Sequence, residues 1–259
     1  MGRPGEAQGR IRLFQFDGVE QREIRGGALP WDTGGIFDLD FRVANLHDQH
    51  ARLTGLGWGG FSAPVDWRFG KLRVREWLAL GPDAVCLALM QRLEPPLPDG
   101  SVADGFSQAF NSSQTVRDMD RAVAFYERLG FRAFVDQREP LAEGGGRVLG
   151  LDAAEARDTV VELVILHPQG KLEGSVELVA FPGRPGRRRD HRAEPTQLGI
   201  NLLRFPVDGL ERFSAMLDEG SNPVPRGPVH ETELRPLGPV RILSLRSPDG
   251  AWLEFYEPA

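Results

Sequence analysis

Three stretches of this chain spell the same structural step, and that repetition limits the folds open to it. The clearest copy is Thr115 to Phe131, TVRDMDRAVAFYERLGF. A strand arrives at Val116, and Asp118 stands where a helix N-cap belongs. Met119, Ala122, Val123 and Tyr126 then fall at i, i+3, i+4 and i+7, the stripe of a helix lying on a sheet. Leu129 closes the stripe, Gly130 takes the C′ position where a positive φ is usual, and Phe131 opens a new strand.

The repeat extends beyond this step. IRLFQFDG (11–18) lies over VELVAFPG (176–183), GIFDLDFRV (35–43) over GINLLRFPV (199–207), and GPDAVCLALMQ (81–91) over SPDGAWLEFYE (247–257), with apolar and glycine positions in register. The spacing predicts three β-α-β-β-β modules at about 35–92, 106–181 and 198–257, and makes 10–17 the last strand of a fourth module whose beginning is missing. In IFDLDFRV, Phe37, Leu39, Phe41 and Val43 fall on one face and Asp38, Asp40 and Arg42 on the other. Asn45 caps a short helix, and strands are expected over 60–65, 72–80, 84–92, 131–137, 159–166, 175–181, 240–245 and 251–256. Residues 139–158 read as a loop, as does the PVHETE segment around His230. Leu93 to Gly105, with three prolines and two glycines, is the best linker. The division that follows is an N-terminal unit 1–95, a linker 96–105, and a C-terminal unit 106–259 in which modules 106–181 and 198–257 pair with each other.

Composition narrows the function classes. The 259 residues are 41% hydrophobic and 26% charged, with a net charge of −6, which suits a globular protein and disfavours a nucleic-acid surface. The arginine run GRPGRRRDHR (183–192) has no interleaved aromatic residue and reads as a solvated connection. No stretch has the length and apolarity of a signal peptide or a membrane span. Cys86 is the single cysteine, so no intramolecular disulfide forms and a cytoplasmic location is expected. On its strand Cys86 reads as a core residue and not a nucleophile. No dinucleotide or phosphate-binding glycine motif is present, since the GGG at 144–146 lacks a following Lys-Ser or Lys-Thr.

AVAFYERLGF (122–131), VLGLDAAEARD (148–158) and SPDGAWLEFYE (247–257), in this order and spacing, resemble the vicinal oxygen chelate superfamily, which includes glyoxalase I, bleomycin-resistance proteins and extradiol dioxygenases. The resemblance covers 105–259 well and 10–92 weakly. It implies an α+β fold in which tandem βαβββ modules pair into curled, cup-shaped mixed sheets with helices packed outside. In the family's enzymes a divalent metal sits in the cup, held by His, Gln or Glu from the first and last strands of each module. Carried over, those positions are Asn111, seven residues before Asp118, then Glu177, Leu202 and Glu254. In the N-terminal half they are Arg12, Asp38 and Ala88. Leucine cannot ligate a metal and asparagine is a poor ligand for transition metals, so no cofactor is expected; if one binds, it is Fe, Mn, Zn or Ni on Glu177, Glu254 and Asn111. His47 and His50 share a helix face without a third ligand, and His167, His191 and His230 fall in or beside loops.

Two functions follow from the resemblance. One is a binding protein holding a small organic molecule in the C-terminal cup, lined by Asn111, Ser113, Glu177, Leu202, Arg204 and Glu254. The other is a lyase, isomerase or ring-cleaving dioxygenase acting on a carbonyl or aromatic compound, with Glu254 as base or metal ligand, Glu177 assisting, and Arg204 or a metal stabilising an oxyanion. For Glu254 the bland alternative is a strand-end carboxylate paired with Arg204. An incomplete half must bury its open sheet, so a homodimer is expected, with neither a nucleic acid nor a membrane as partner.

Overall fold

The computed structural model describes residues 8–98, 102, 105–140, 143–168, 170, 172–219 and 223–259. The first module is β1 (Asp38–Arg42), α1 (Leu46–Gly55), β2 (Gly59–Gly60), β3 (Val65–Phe69), β4 (Leu72–Leu80) and β5 (Cys86–Glu94). The second is β6 (Asn111–Thr115), α2 (Met119–Arg128), β7 (Phe131–Pro140), α3 (Glu143–Val148), α4 (Ala153–Asp158), β8 (Val160–Pro168) and β9 (Ser175–Ala180). The third is β10 (Leu202–Pro206), α5 (Leu210–Met216), β11 (His230–Leu234), β12 (Gly238–Arg246) and β13 (Trp252–Pro258).

Local chemistry sets these elements where the sequence places them. Asn45 accepts hydrogen bonds from the backbone N–H groups of His47 and Asp48, and Asp118 accepts one from that of Arg121. Met119, Ala122 and Tyr126 are buried on the sheet side of α2, and Gly130 turns the chain at φ 91. The mixed α+β architecture with two curled, open sheets is the expected one.

The pairing of modules differs from the expectation. The first and second modules fuse into one nine-stranded sheet, ordered β2-β4-β5-β1-β6-β9-β8-β7 with β3 on β4, while the third forms its own four-stranded sheet, β10-β13-β12-β11. The junction is antiparallel pairing of β1 with β6, Asp38 opposite Ser113 and Asp40 opposite Asn111. Strand β6, NSSQT, is polar yet buried throughout. A central position between β1 and β9 pairs both of its backbone edges, as burial of such a strand requires. The second and third modules do associate, but through their helix-bearing sides. Val116, Tyr126, Phe131, Val176 and Leu178 share a core with Phe205, Leu210, Phe213, Leu253 and Phe255, and the rings of Phe131 and Phe205 meet edge to face at 5.3 Å.

Three further elements depart from the sequence reading. Residues 10–17 form no strand and leave Leu13, Phe14 and Phe16 exposed, because no neighbouring strand offers them a ladder. The expected loop at 139–158 contains α3 and α4, the latter opened by a capping box between Asp152 and Glu155. His230 begins β11, an antiparallel partner of β12. Residues 99–101, 103 and 104 of the expected linker 96–105 lie outside the described residues. Among the described residues, no helix is long and apolar enough to cross a membrane.

Candidate functional site

Side chains alternate across a strand, so the register of the large sheet decides which residues share its concave face. Leu39, Phe41, Leu87, Leu89, Trp77 and Ala79 pack on the α1 side. The opposite face collects Asp38 and Asp40 from β1, Glu76 from β4, Asn111 and Ser113 from β6, and Ser175 and Glu177 from β9. Asp38, Ser113 and Glu177 lie abreast on three adjacent strands, and Asp40, Asn111 and Ser175 form the next row. Four carboxyl groups therefore sit on the floor of one cup. Glu177 is half-buried and the other three are buried.

Two apolar clusters flank this floor. Phe37, Val65, Leu78, Cys86, Ala88 and Val148 form the wall of the first module, and Val161, Val179 and Phe181 with Trp31 form that of the second. Leu149, just after α3, packs against both and bridges them. A strap at residues 24–34 closes the remaining side. Its Arg25 guanidinium is buried, donates to the carbonyl oxygens of Gly34 at 3.0 Å and Asp32 at 3.0 Å, and lies 4.8 Å from the Phe37 ring centroid.

The strap is held by the arginine run 183–192, which is not the solvated connection expected from the sequence. Arg189 reaches the buried Asp32 carboxylate at 3.2 Å, and the backbone N–H of Arg187 donates to it at 2.8 Å. Arg184 lies 4.0 Å from the Trp31 ring centroid and bonds to Glu155, while Arg188 pairs with Asp190.

The floor is short of hydrogen-bond donors. Trp67 Nε1 donates to Glu76 at 2.7 Å, Asn111 Nδ2 to Glu177 at 3.4 Å, and Ser175 Oγ to Asn111 Oδ1 at 2.9 Å. Asp38 Oδ1 and Asp40 Oδ2 are buried with no partner among the described residues. Burial therefore favours the protonated acids. It pushes Asp38 up to about 6, against the opposing pull of Ser113 and Arg25. Glu76 rises to about 7, again by burial first and then by the Asp38 charge. Glu177 rises to about 8 through burial and the charges of Asp38 and Glu76. Asp40 rises well above the ordinary carboxyl range, from burial and from Asp38, Glu177 and Glu76. Burial lowers Arg25 to about 10, which leaves it the resident cation at neutral pH.

The metal that the family resemblance implies does not fit these residues. At the first-strand positions stand Asp38 and Asn111, and at the last-strand positions Ala88 and Glu177; a methyl group supplies no lone pair. Among the described residues no three His, Cys, Asp or Glu side chains are arranged to hold a metal ion.

The residues expected to line one C-terminal cup are divided between the sheets. Asn111, Ser113 and Glu177 are together on the large one. Leu202, Arg204 and Glu254 are on the small one, where Arg204 Nε donates to Glu254 at 2.7 Å. Asp40, Glu76 and Arg25 complete the large cup and were not singled out from the sequence. The signal available for Asp40 was its place beside Asp38 on the polar face of IFDLDFRV.

No protein-family model matches the chain, and no curated protein matches it by sequence. Its fold does match solved structures. Glyoxalase I from Zea mays superposes with a TM-score of 0.55 at 15% identity, over 87% of this chain and 69% of that one. A variant of the same maize enzyme gives 0.55 at 14% identity, over 93% and 71%. A dioxygenase candidate from Bacillus subtilis gives 0.52 at 11% identity, over 87% and 62%. The repeated strand-helix-strand modules, the curled open sheets and these structural neighbours show that the chain has a glyoxalase I-like fold.

Proposed function

We propose that the protein binds a small organic molecule in the cup formed by its first and second modules, without a transition metal. The observation that carries this reading is the pair of buried carboxyl oxygens with no hydrogen-bond partner, Asp38 Oδ1 and Asp40 Oδ2, on a floor whose Glu177 is half-buried. A buried unpaired oxygen destabilises its surroundings by about 1–3 kcal/mol, and a ligand that donates hydrogen bonds removes that penalty. The apolar walls favour an organic body, so the fitting ligand combines an apolar part with N–H or O–H donors. The ligand site thus moves from the C-terminal cup to the large sheet, and Leu202, Arg204 and Glu254 leave its lining.

A thermal-shift screen with a panel of small amines, alcohols, amides and carboxylic acids tests the reading on protein purified without chelator. Donor-bearing compounds are expected to stabilise the protein, Asp40→Leu, which removes the acceptor, to weaken their binding about tenfold, and Glu254→Gln to leave it unchanged. Stoichiometric Fe, Mn, Zn or Ni in the purified protein, lost in Glu177→Gln, contradicts the metal-free reading.

One observation favours an enzymatic alternative. Glu177 reaches solvent and has its acidity tuned to about 8, which suits a general acid–base at neutral pH. In that alternative, a lyase or isomerase acting on a carbonyl compound, Glu177 replaces Glu254 in the catalytic role, since Glu254 is committed to Arg204. Solvent deuterium exchange beside the carbonyl of a bound ketone or aldehyde, abolished in Glu177→Gln, is its signature. The buried free thiol of Cys86 supports cytoplasmic residence as part of the same proposal. The homodimer keeps its place too, with the third module and not the first as the surface that a second copy covers.

A further inference from the structure

His167 extends the floor of the large cup. It lies within β8, and not in or beside a loop as expected from the sequence. Val164 and Leu166 pack on the α2 side of the sheet, so Ile165 and His167 face the cup. Ile165 stands opposite Glu177 of β9 and Leu166 opposite Val176, which brings His167 level with Ser175. The second row of the floor therefore runs Asp40, Asn111, Ser175, His167 across four adjacent strands.

The two ends of this row lack partners and its middle does not. Asp40 Oδ2 and His167 Nε2 are buried and make no hydrogen bond among the described residues. His167 is 6% exposed, and burial lowers its pKa, so the imidazole is neutral at neutral pH and has a lone pair to offer. Between the ends, Asn111 accepts from Ser175 and donates to Glu177. Three strand spacings separate the ends, about 14 Å along the sheet. At the His167 end, the irregularity of β7 at Phe134 turns that ring onto the imidazole, stacked at 4.3 Å. Phe134 is 70% exposed, which puts solvent one ring away from His167. Acids also outnumber cations around the row. Asp38, Asp40, Glu76 and Glu177 are joined by Glu173, whose charge acts on His167, against Arg25 and Arg42.

We propose that the ligand of the large cup is a linear diamine, lying along this row with one nitrogen at Asp40 and the other at His167. The inference rests on the binding reading above and names its chemical class. Each end group brings N–H donors to an atom that has none. The methylene chain crosses Asn111 and Ser175, whose polar groups are already engaged, and the apolar clusters flank it. A positive charge suits a floor where acids exceed cations. The ammonium takes the place of the proton that burial keeps on a carboxyl group, and that proton passes to solvent. At the other end, a neutral imidazole accepts from the second ammonium without repelling it.

Isothermal titration calorimetry of the full chain with 1,8-diaminooctane, octylamine and 1,8-octanediol tests it at neutral pH. The diamine is expected to bind about tenfold or more tighter than octylamine, which has one end group, and than the diol, which has no charge. His167→Phe keeps a ring beneath Phe134 and removes the lone pair, and is expected to weaken the diamine about tenfold. The imidazole nitrogen-15 resonances of the wild-type chain give a second readout. The diamine is expected to shift those of His167 and to leave those of the other histidines in place. A diamine that binds no tighter than octylamine, or that leaves His167 unmoved, overturns the inference, while the binding of other donors in the thermal-shift screen stands. If no donor-bearing compound binds at all, the cup is not a ligand site and both proposals fall.

Discussion

Asp32→Ala is expected to destabilise the protein by about 3–5 kcal/mol in urea unfolding at neutral pH, the loss typical when one partner of a buried ion pair is removed. Asp32 is 1% exposed. It accepts from the Arg189 guanidinium and from the backbone N–H groups of Arg187 and Leu29. Burial opposes the carboxylate, but these three donors outweigh it and hold the acid below its ordinary range. Alanine leaves the Arg189 side chain, 7% exposed, without its counter-charge. Asp32→Asn retains an acceptor for the backbone donors and is expected to lose less. The effect reaches the cup, because the strap that Asp32 anchors carries Arg25 and Trp31 against its walls. A loss below about 1 kcal/mol for Asp32→Ala means that the strap is not held through this carboxylate.

Glu76→Gln is expected to do the opposite, and increasingly so as pH rises from about 4.5 through 7. A carboxyl whose pKa is higher folded than unfolded binds its proton more tightly in the folded chain. Its favourable contribution is therefore complete below the unfolded value of 4.5 and is lost as pH rises through about 7. That difference corresponds to about 3 kcal/mol. Glutamine keeps an acceptor for Trp67 Nε1 and has no proton to lose. The variant should match the wild type below about pH 4 and exceed it by about 3 kcal/mol near pH 8 and above. Asp38, Glu177 and Asp40 are displaced in the same direction, so the wild-type protein itself should lose stability between pH 5 and pH 9. Equal pH slopes for the two proteins contradict a buried, protonated Glu76.

The contrast between these residues shows how far the sequence reaches. The strand-helix-strand steps were legible because caps and periodicity are local: Asp118, the Met119–Tyr126 stripe and Gly130 set their own geometry. Which modules share a sheet was not. The same repeat permits a first-with-second or a second-with-third junction, and the choice falls on NSSQT, a polar strand that is buried only with both edges paired. Helices α3 and α4 were hidden by GGG, although the Asp152–Glu155 capping box was a local signal for the second of them.

The site was half legible. Asn111, Ser113 and Glu177 followed from module positions. Asp38 and Asp40 were visible as a polar strand face, but their meaning depends on the wall opposite, which comes from residues far along the chain. Glu76 sits among apolar neighbours in REWLAL, and Arg25 lies in a turn-rich connection, so neither has a periodic signal. Asp32 and Arg189 are 157 residues apart and meet only in the folded chain.

The central claim is that the floor of the cup of the first two modules carries acids whose burial and mutual repulsion raise them above the ordinary carboxyl range, in place of a metal. Carbon-13 NMR titration of the side-chain carboxyl groups tests it most directly, with Glu76→Gln and Glu177→Gln as assignments. The account predicts resonances titrating near 7 and near 8 that disappear in the respective variants. If Glu76 and Glu177 titrate in the ordinary carboxyl range, the floor is ionised and neutralised by a bound cation or by water, and the account is wrong.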